Sequence, residues 1–170
     1  MLNNISGDLK RELETVASKN KFLAIFECIC NQGFQAVLAY RICRFLKLKH
    51  IPLVGMFIQR FIEITTSISI PAKADIGEGL LIYHFGGIII NADSKIGKNC
   101  TLHHGVTIGN KTKGGGSPKI GNDVYIGAGA KILGEIAIGD NCKIGANAVV
   151  IQSIPSNSTD VGIPAKIIND

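Results

Sequence analysis

From residue 70 to residue 150 an aliphatic side chain returns at every sixth position: Ile70, Ile76, Ile82 and Ile88, then Ile96, Leu102 and Ile108, then Ile120, Ile126, Ile132, Ile138, Ile144 and Val150. These thirteen near-repeats slip by two residues after Ile88 and are interrupted by a longer excursion after Ile108. A period of six fits neither the helical period of about 3.6 nor the strand period of about 2. It marks a parallel β-helix, in which each hexad is a short strand plus a turn and stacked coils bury one apolar column. The second residue of the hexad is often glycine (Gly77, Gly97, Gly109, Gly121, Gly127, Gly139, Gly145), whose backbone freedom suits a turn. The fifth is small or aliphatic (Cys100, Val106, Val124, Ala130, Ile136, Cys142, Ala148), so Cys100 and Cys142 read as core residues and not as metal ligands.

Before residue 67 the apolar spacing is helical instead. In "GFQAVLAYRICRFLKLK", residues 33–49, Phe34, Val37, Leu38, Ile42, Phe45 and Leu46 recur at three and four. Asp8 is placed to cap a first short helix, and Pro52 to open a third that runs to about Thr65. The basic string Arg41, Arg44, Lys47, Lys49 reads as a solvated face or helix C-terminus in preference to a membrane-surface patch, and His50 as surface. The predicted organisation is a helical region over 1–66, a β-helix over 67–155 with a loop at 110–119, and a C-terminal tail over 156–170.

Charge and cysteine usage exclude some classes. The net charge is +5, with nine Lys/Arg before residue 67 and nine after it against five and eight acids, so no basic face of the nucleic-acid-binding kind stands out. Five cysteines make an odd set without a CxxC spacing, and no apolar signal segment follows the polar start "MLNNISGDLKRELE". No apolar run reaches the length of a membrane-spanning helix. A reduced, cytoplasmic protein without disulfides is expected.

The chemistry-bearing residues sit at hexad turns. At three hexads per coil, equivalent residues of neighbouring coils lie about 4.8 Å apart. His84, in "LLIYHFGG", is the third residue of the hexad that starts at Ile82, and His104 is the third of the hexad that starts at Leu102. The two imidazoles are therefore expected to stack outside the core, whose inward slots go to Ile82 and Gly86 and to Leu102 and Val106. One hexad after His104 comes the excursion "GNKTKGGGSPK", a glycine-rich loop that interrupts the solenoid on one face.

At "IGAGAKILGEIAIGDNCKIGANAVV" followed by "VGIPAKII", the chain resembles the hexapeptide-repeat acyltransferases and, within them, the serine acetyltransferase group. The resemblance runs from "GFQAVLAYRI" at residue 33 to Ile168. It implies a left-handed β-helix, a homotrimer, and active sites in the clefts between subunits. Acetyl-CoA is the implied co-substrate, with no metal. His84 matches the family's general base, a role that imidazole suits near neutral pH, and the developing oxyanion would take N–H donors from the coil turns. By the same resemblance Ala128 and Ala146 offer backbone to the pantetheine arm, and Asn110 matches a family glycine at the loop entrance. Lys131, Lys143 and Lys166 are candidates for the CoA phosphates, with a solvated surface as the alternative.

Departures from the family pattern bear on the acceptor. Ser69 stands where the family places an aspartate fifteen residues before the base, and Tyr83 stands where serine acetyltransferases place another directly before it. Gly116 and Ser117 replace an arginine and a histidine ahead of the loop proline, Pro118. The helical region is roughly half that of the cysteine-biosynthetic enzymes. "LHHGVTIGN" is similar to the shorter serine-acetyltransferase-like proteins of capsule and exopolysaccharide pathways. The expectation is thus an O-acetyltransferase acting on a sugar hydroxyl, with His104 as second imidazole and Tyr83, Phe85 and Ser117 against the acceptor. Serine O-acetylation is the alternative. A third reading, from another class, is a non-catalytic β-helix that binds partners, or a metal through His84, His103 and His104, although His103 is expected to point away from His104.

Overall fold

The computed structural model describes residues 2–18 and 20–168. Four helices precede the solenoid, where three are expected: α1 (Leu2–Leu13), α2 (Lys21–Cys30), α3 (Gln32–Leu48) and α4 (Pro52–Thr66). The unexpected one, α2, reads "KFLAIFECIC" and has too few polar residues to display a helical period. Its caps are nonetheless visible in the sequence. Asn20 accepts from the N–H groups of Phe22 and Leu23, and Asn31 from those of Gly33 and Phe34, so one asparagine opens each of two consecutive helices. Pro52 opens α4 as expected, and Ser67, at φ 54°, ends it.

Two expectations about charged residues are corrected. Asp8 is not a cap: it lies within α1, 2 % exposed, and its carboxylate takes a two-pronged bond from Arg41 (Nε to Oδ2 2.8 Å, Nη2 to Oδ1 3.1 Å). Arg41 is not solvated: it is 3 % exposed and also donates to the carbonyls of Ile76 and Gly77. The same Asp8 carboxylate accepts from the N–H groups of Gly79 and Leu80. The cause lies in the solenoid's first coil, which has no coil above it to satisfy its main-chain groups. Side chains of α1 and α3 take that place, with Tyr40 and Arg44 both donating to the carbonyl of Ala74.

Below the helices the chain winds through five coils on three faces. The first face stacks Ile68–Ser69, Ile88–Ile90, Thr107–Gly109, Lys131–Leu133 and Val149–Val150 in parallel register. The second stacks Asp75–Ile76, Lys95–Ile96, Lys119–Ile120 and Ala137–Ile138. The third stacks Leu81–Tyr83, Thr101–His103, Tyr125–Ile126, Lys143–Ile144 and Thr159–Gly162, and ends in the antiparallel strand Ala165–Ile168. All thirteen hexad-leading aliphatics are at most 5 % exposed, which confirms the column that the spacing predicts. At the two-residue slip, Ile88 and Ile90 both point inward on either side of exposed Ile89, and it is Ile90 that continues the column to Ile108. Gly86, expected inward, is instead half-exposed at φ 100°, where the chain turns between faces.

The column ends on a charge. Asp160 sits in register with Ile144, 4 % exposed, with Oδ1 lacking any hydrogen-bond partner, and burial pushes its carboxyl above the usual carboxylate range. The folded state therefore binds the proton more tightly than the unfolded chain, and the cost of Asp160 is greatest at pH above its raised value. Asp160→Val is expected to stabilise the protein by about 1–3 kcal/mol near pH 8. The gain should shrink as the pH falls toward the unfolded carboxylate value, which paired urea titrations at several pH values would check.

Candidate active site

The site is built on the corner where the third face turns into the first. Successive corners stack through main-chain hydrogen bonds along the solenoid axis: Gly105 N–H to Gly86 O (2.9 Å), Gly129 N–H to His104 O (2.9 Å) and Asn147 N–H to Ala128 O (2.7 Å). Gly87, Gly105 and Gly129 have φ of 67°, 71° and 73°, a region that disfavours any side chain. A Cβ on Gly105 would also stand 3.3 Å from the Gly129 Cα. The result is a track without side chains that runs from Gly87 past Gly105 to Gly129 and is closed at the next corner by Asn147, whose side chain fills the space that a Cβ on Gly129 would take. Gly105 and Gly129 were absent from the sequence-based candidates, although both follow a third-position residue in "HHG" and "AGA". Three corner N–H groups are already engaged in this ladder, so an oxyanion must find its donors elsewhere.

His84 occupies the top of the track. Its φ of 62° swings the exposed ring off the strand Leu81–Tyr83. The ring centroid lies 5.9 Å from that of His104, edge-on, and 6.4 Å from that of His103. The expected stacking of His84 on His104 is thus present, and a third imidazole joins it. His103 is half-buried between Tyr83 (5.2 Å, parallel) and Tyr125 (5.1 Å, tilted). Its Nε2 has no partner, and burial, followed by the neighbouring His84 and His104, holds it below the ordinary histidine value. Strand alternation predicts that His103 points away from His104, and its ring packs on Tyr83 and Tyr125, while the turned His84 backbone brings the His84 ring within 6.4 Å of it. Among the described residues no three His, Cys, Asp or Glu side chains converge in a way that would hold a metal ion.

The other sequence-based candidates divide. Tyr83 and Phe85 are exposed beside His84. Ala128 and Ala146 lie at successive corners, and the Gly127 position approaches the Ala146 N–H closely enough that a Cβ there would stand 2.7 Å from it. Ser117 is 9 % exposed, and its hydroxyl bonds to Asn91 Oδ1 (3.0 Å) and Asn110 Oδ1, so Ser117 and Asn110 together pin the base of the 110–119 loop. Lys131 donates to the Gly105 carbonyl and braces the corner from one coil below. Lys143 is exposed on the third face, in register with Tyr125 and Thr159, and Lys166 lies on the terminal strand.

Ser69 has a partner that the sequence pattern did not disclose. Its hydroxyl donates to Glu63 Oε1 at 2.8 Å, and Glu63, on the last turn of α4, also receives Gln59 and Arg60. A carboxylate therefore stands one hydrogen bond behind the serine, six residues upstream in the chain.

Comparison with known proteins agrees with this architecture. Residues 117–152 match the family model described as bacterial transferase hexapeptide (six repeats), and residues 87–113 match the hexapeptide repeat of succinyl-transferase. The chain is 37% identical to a serine acetyltransferase of Synechococcus elongatus over 170 residues, covering 99% of this chain and 69% of that protein. It is 39% identical to a serine acetyltransferase of Helicobacter pylori over 168 residues, covering 97% and 96%. Among solved structures, the Neisseria gonorrhoeae serine acetyltransferase in complex with serine superposes with a TM-score of 0.88 at 34% identity, over 99% of this chain and 69% of that one. The Brucella abortus serine acetyltransferase in complex with coenzyme A does so with a TM-score of 0.89 at 29% identity, over 99% and 68%.

Proposed function

Because the chain belongs to the serine acetyltransferase family and is an acetyl-CoA-dependent acyltransferase, we propose the hydroxyl of L-serine as its acceptor. The observation that carries this reading is full-length similarity to the Helicobacter pylori serine acetyltransferase, of which the chain covers 96%. A short helical region thus occurs in a protein of that name and does not argue against serine. The names of the relatives support serine over the sugar hydroxyl that the departures at Ser69, Tyr83, Gly116 and Ser117 suggested.

In this reading the track of Gly87, Gly105 and Gly129 admits the thin pantetheine arm along the corner and delivers the thioester beside His84. His84 removes the proton from the acceptor hydroxyl as that oxygen bonds to the acetyl carbonyl carbon. The C–S bond breaks, and the imidazolium returns the proton to the departing sulfur. No covalent acyl-enzyme is required, since the thioester is already activated. His103, held below the ordinary histidine value, stays neutral beside the base and adds no positive charge that would oppose its protonation. His104, edge-on to His84, restricts the ring's orientation and supplies a second imidazole to the acceptor. Lys131, Lys143 and Lys166 offer charge to the CoA phosphates from separate coils, and a homotrimer would complete each site with a neighbouring chain.

One observation favours a second acceptor. The rings in contact with His84 are those of His103 and His104, Tyr83 and Tyr125 pack on His103, Phe85 is exposed nearby, and none of these brings the paired charges that an amino acid's ammonium and carboxylate call for. Aromatic faces suit a sugar. The test is release of free CoA thiol from acetyl-CoA by the purified full chain, with L-serine or a panel of sugars and oligosaccharides as acceptor. Serine-dependent release far above the rate with acetyl-CoA alone is the expected result. Release that depends on a sugar and not on serine would replace the proposal with the second reading, and release unaffected by any alcohol would end both.

A further inference from the structure

The catalytic face leaves the helical end of the molecule unexplained. Along α4, Leu53, Phe57, Phe61 and Ile64 recur at four, four and three with Met56 beside them, and each of these side chains exposes 64 to 78 % of its surface. A soluble helix normally turns such a stripe inward. Here the opposite side of α4 packs on α3, and between the two helices Leu38 and Ile42 meet Phe57 and Phe61 in an open groove of about 470 Å³. The stripe continues into the α3–α4 turn "KLKHIPL", where Leu48 and Ile51 are 70 % and 48 % exposed. Exposed apolar surface of this extent marks a contact with something outside the chain.

Charge selects the occupant. Between residues 28 and 62 there is no acidic residue, against Arg41, Arg44, Lys47, Lys49 and Arg60. Arg41 and Arg44 are engaged with the solenoid, which leaves Lys47, Lys49 and His50 exposed at the turn and Arg60 on α4. Glu63, the first acid beyond this stretch, is bound to Arg60 and Ser69. A second copy of the chain would offer the same face, with no carboxylate in 28–62 to answer the basic rim. A bilayer with anionic headgroups answers both the charge and the apolar stripe. Among the described residues no single helix is long and apolar enough to cross a membrane, and the bent pair α2–α3 (76°) would reach that length only by pulling Val37, Tyr40 and Arg41 out of the core.

We infer that the α3–α4 turn and the outer stripe of α4 form a membrane-surface docking site, with the apolar side chains in the headgroup boundary and the lysines on anionic lipid. The enzyme then works at a bilayer surface with its catalytic corner on the solenoid below.

Co-sedimentation of the full chain with vesicles tests this. Vesicles of phosphatidylcholine with one quarter phosphatidylglycerol are compared with phosphatidylcholine alone, at low and at physiological salt. At least ten-fold stronger partition onto the anionic vesicles is expected, weakened by salt. Phe57→Glu/Phe61→Glu should reduce it ten-fold or more, and Lys47→Glu/Lys49→Glu should remove its salt-sensitive part. Circular dichroism melts would show both variants folded, since these side chains are exposed. Absence of partition onto anionic vesicles overturns the inference, as does partition that the phenylalanine variant leaves undiminished. A phenylalanine variant that lowers the oligomer mass in light scattering, with vesicle partition unchanged, would assign the face to a second copy instead.

Discussion

Replacement of His84 by asparagine is expected to lower kcat about a thousand-fold, the usual scale for loss of a general base, with KM for acetyl-CoA nearly unchanged. Asparagine is the right substitute because the residue sits at φ 62°. It tolerates this region, whereas alanine there would add backbone strain and blur the result. His104→Asn should cost much less, since His104 acts on the ring of His84 from 5.9 Å and not on the thioester. Steady-state kinetics by thiol release, with melting curves to show that each variant stays folded, would check both. An equal loss in the two variants would mean that the roles of the imidazoles are shared, and an unaffected His84→Asn would remove the base from the mechanism.

The second large effect is on stability. Asp8→Ala leaves the Arg41 guanidinium buried at 3 % exposure without its counter-charge, and frees the Gly79 and Leu80 N–H groups. A loss of about 3–5 kcal/mol is expected for breaking such a pair. Asp8→Leu/Arg41→Met, which removes both charges, should recover a large part of it, because an apolar pair of similar volume needs no compensating partner. Urea midpoints for the single and double variants give the coupling directly. A single variant within about 1 kcal/mol of the parent, the scale of an exposed ion pair, would show that α1 does not hold the first coil in place.

The column was legible because burial of one aliphatic residue per hexad is a local rule repeated thirteen times, and Ile70 through Val150 obey it. The same rule placed His84 and His104 outside the core and near each other. What it could not reach were interactions made across the junction between the two halves. Arg41 follows the helical period of α3 and looks solvated until the unpaired turn carbonyls of Ile76 and Gly77 are brought over it. Glu63 and Ser69 are six residues apart, yet their bond depends on the angle at which α4 enters the first strand. The contact of His84 with His103 was not foreseen because strand alternation assumes extended backbone, and the left-handed His84 departs from it. Ser117 was named for the acceptor because it stands where the family loop carries a histidine ahead of Pro118, and the bonds of its hydroxyl to Asn91 and Asn110, which anchor the loop, depend on contacts that spacing does not show.

The terminal strand Ala165–Ile168 has an effect on the molecule's solution behaviour. A stack of parallel coils leaves a row of main-chain donors and acceptors at its last rung, which any similar coil from another molecule can extend. On the third face that row is taken by a strand of opposite direction, whose outer edge has the wrong hydrogen-bond polarity for a further parallel rung. At the other extremity the row is occupied by Tyr40, Arg41 and Arg44. Filament growth along the axis is thereby discouraged from both directions, and lateral association is the route left open for self-assembly.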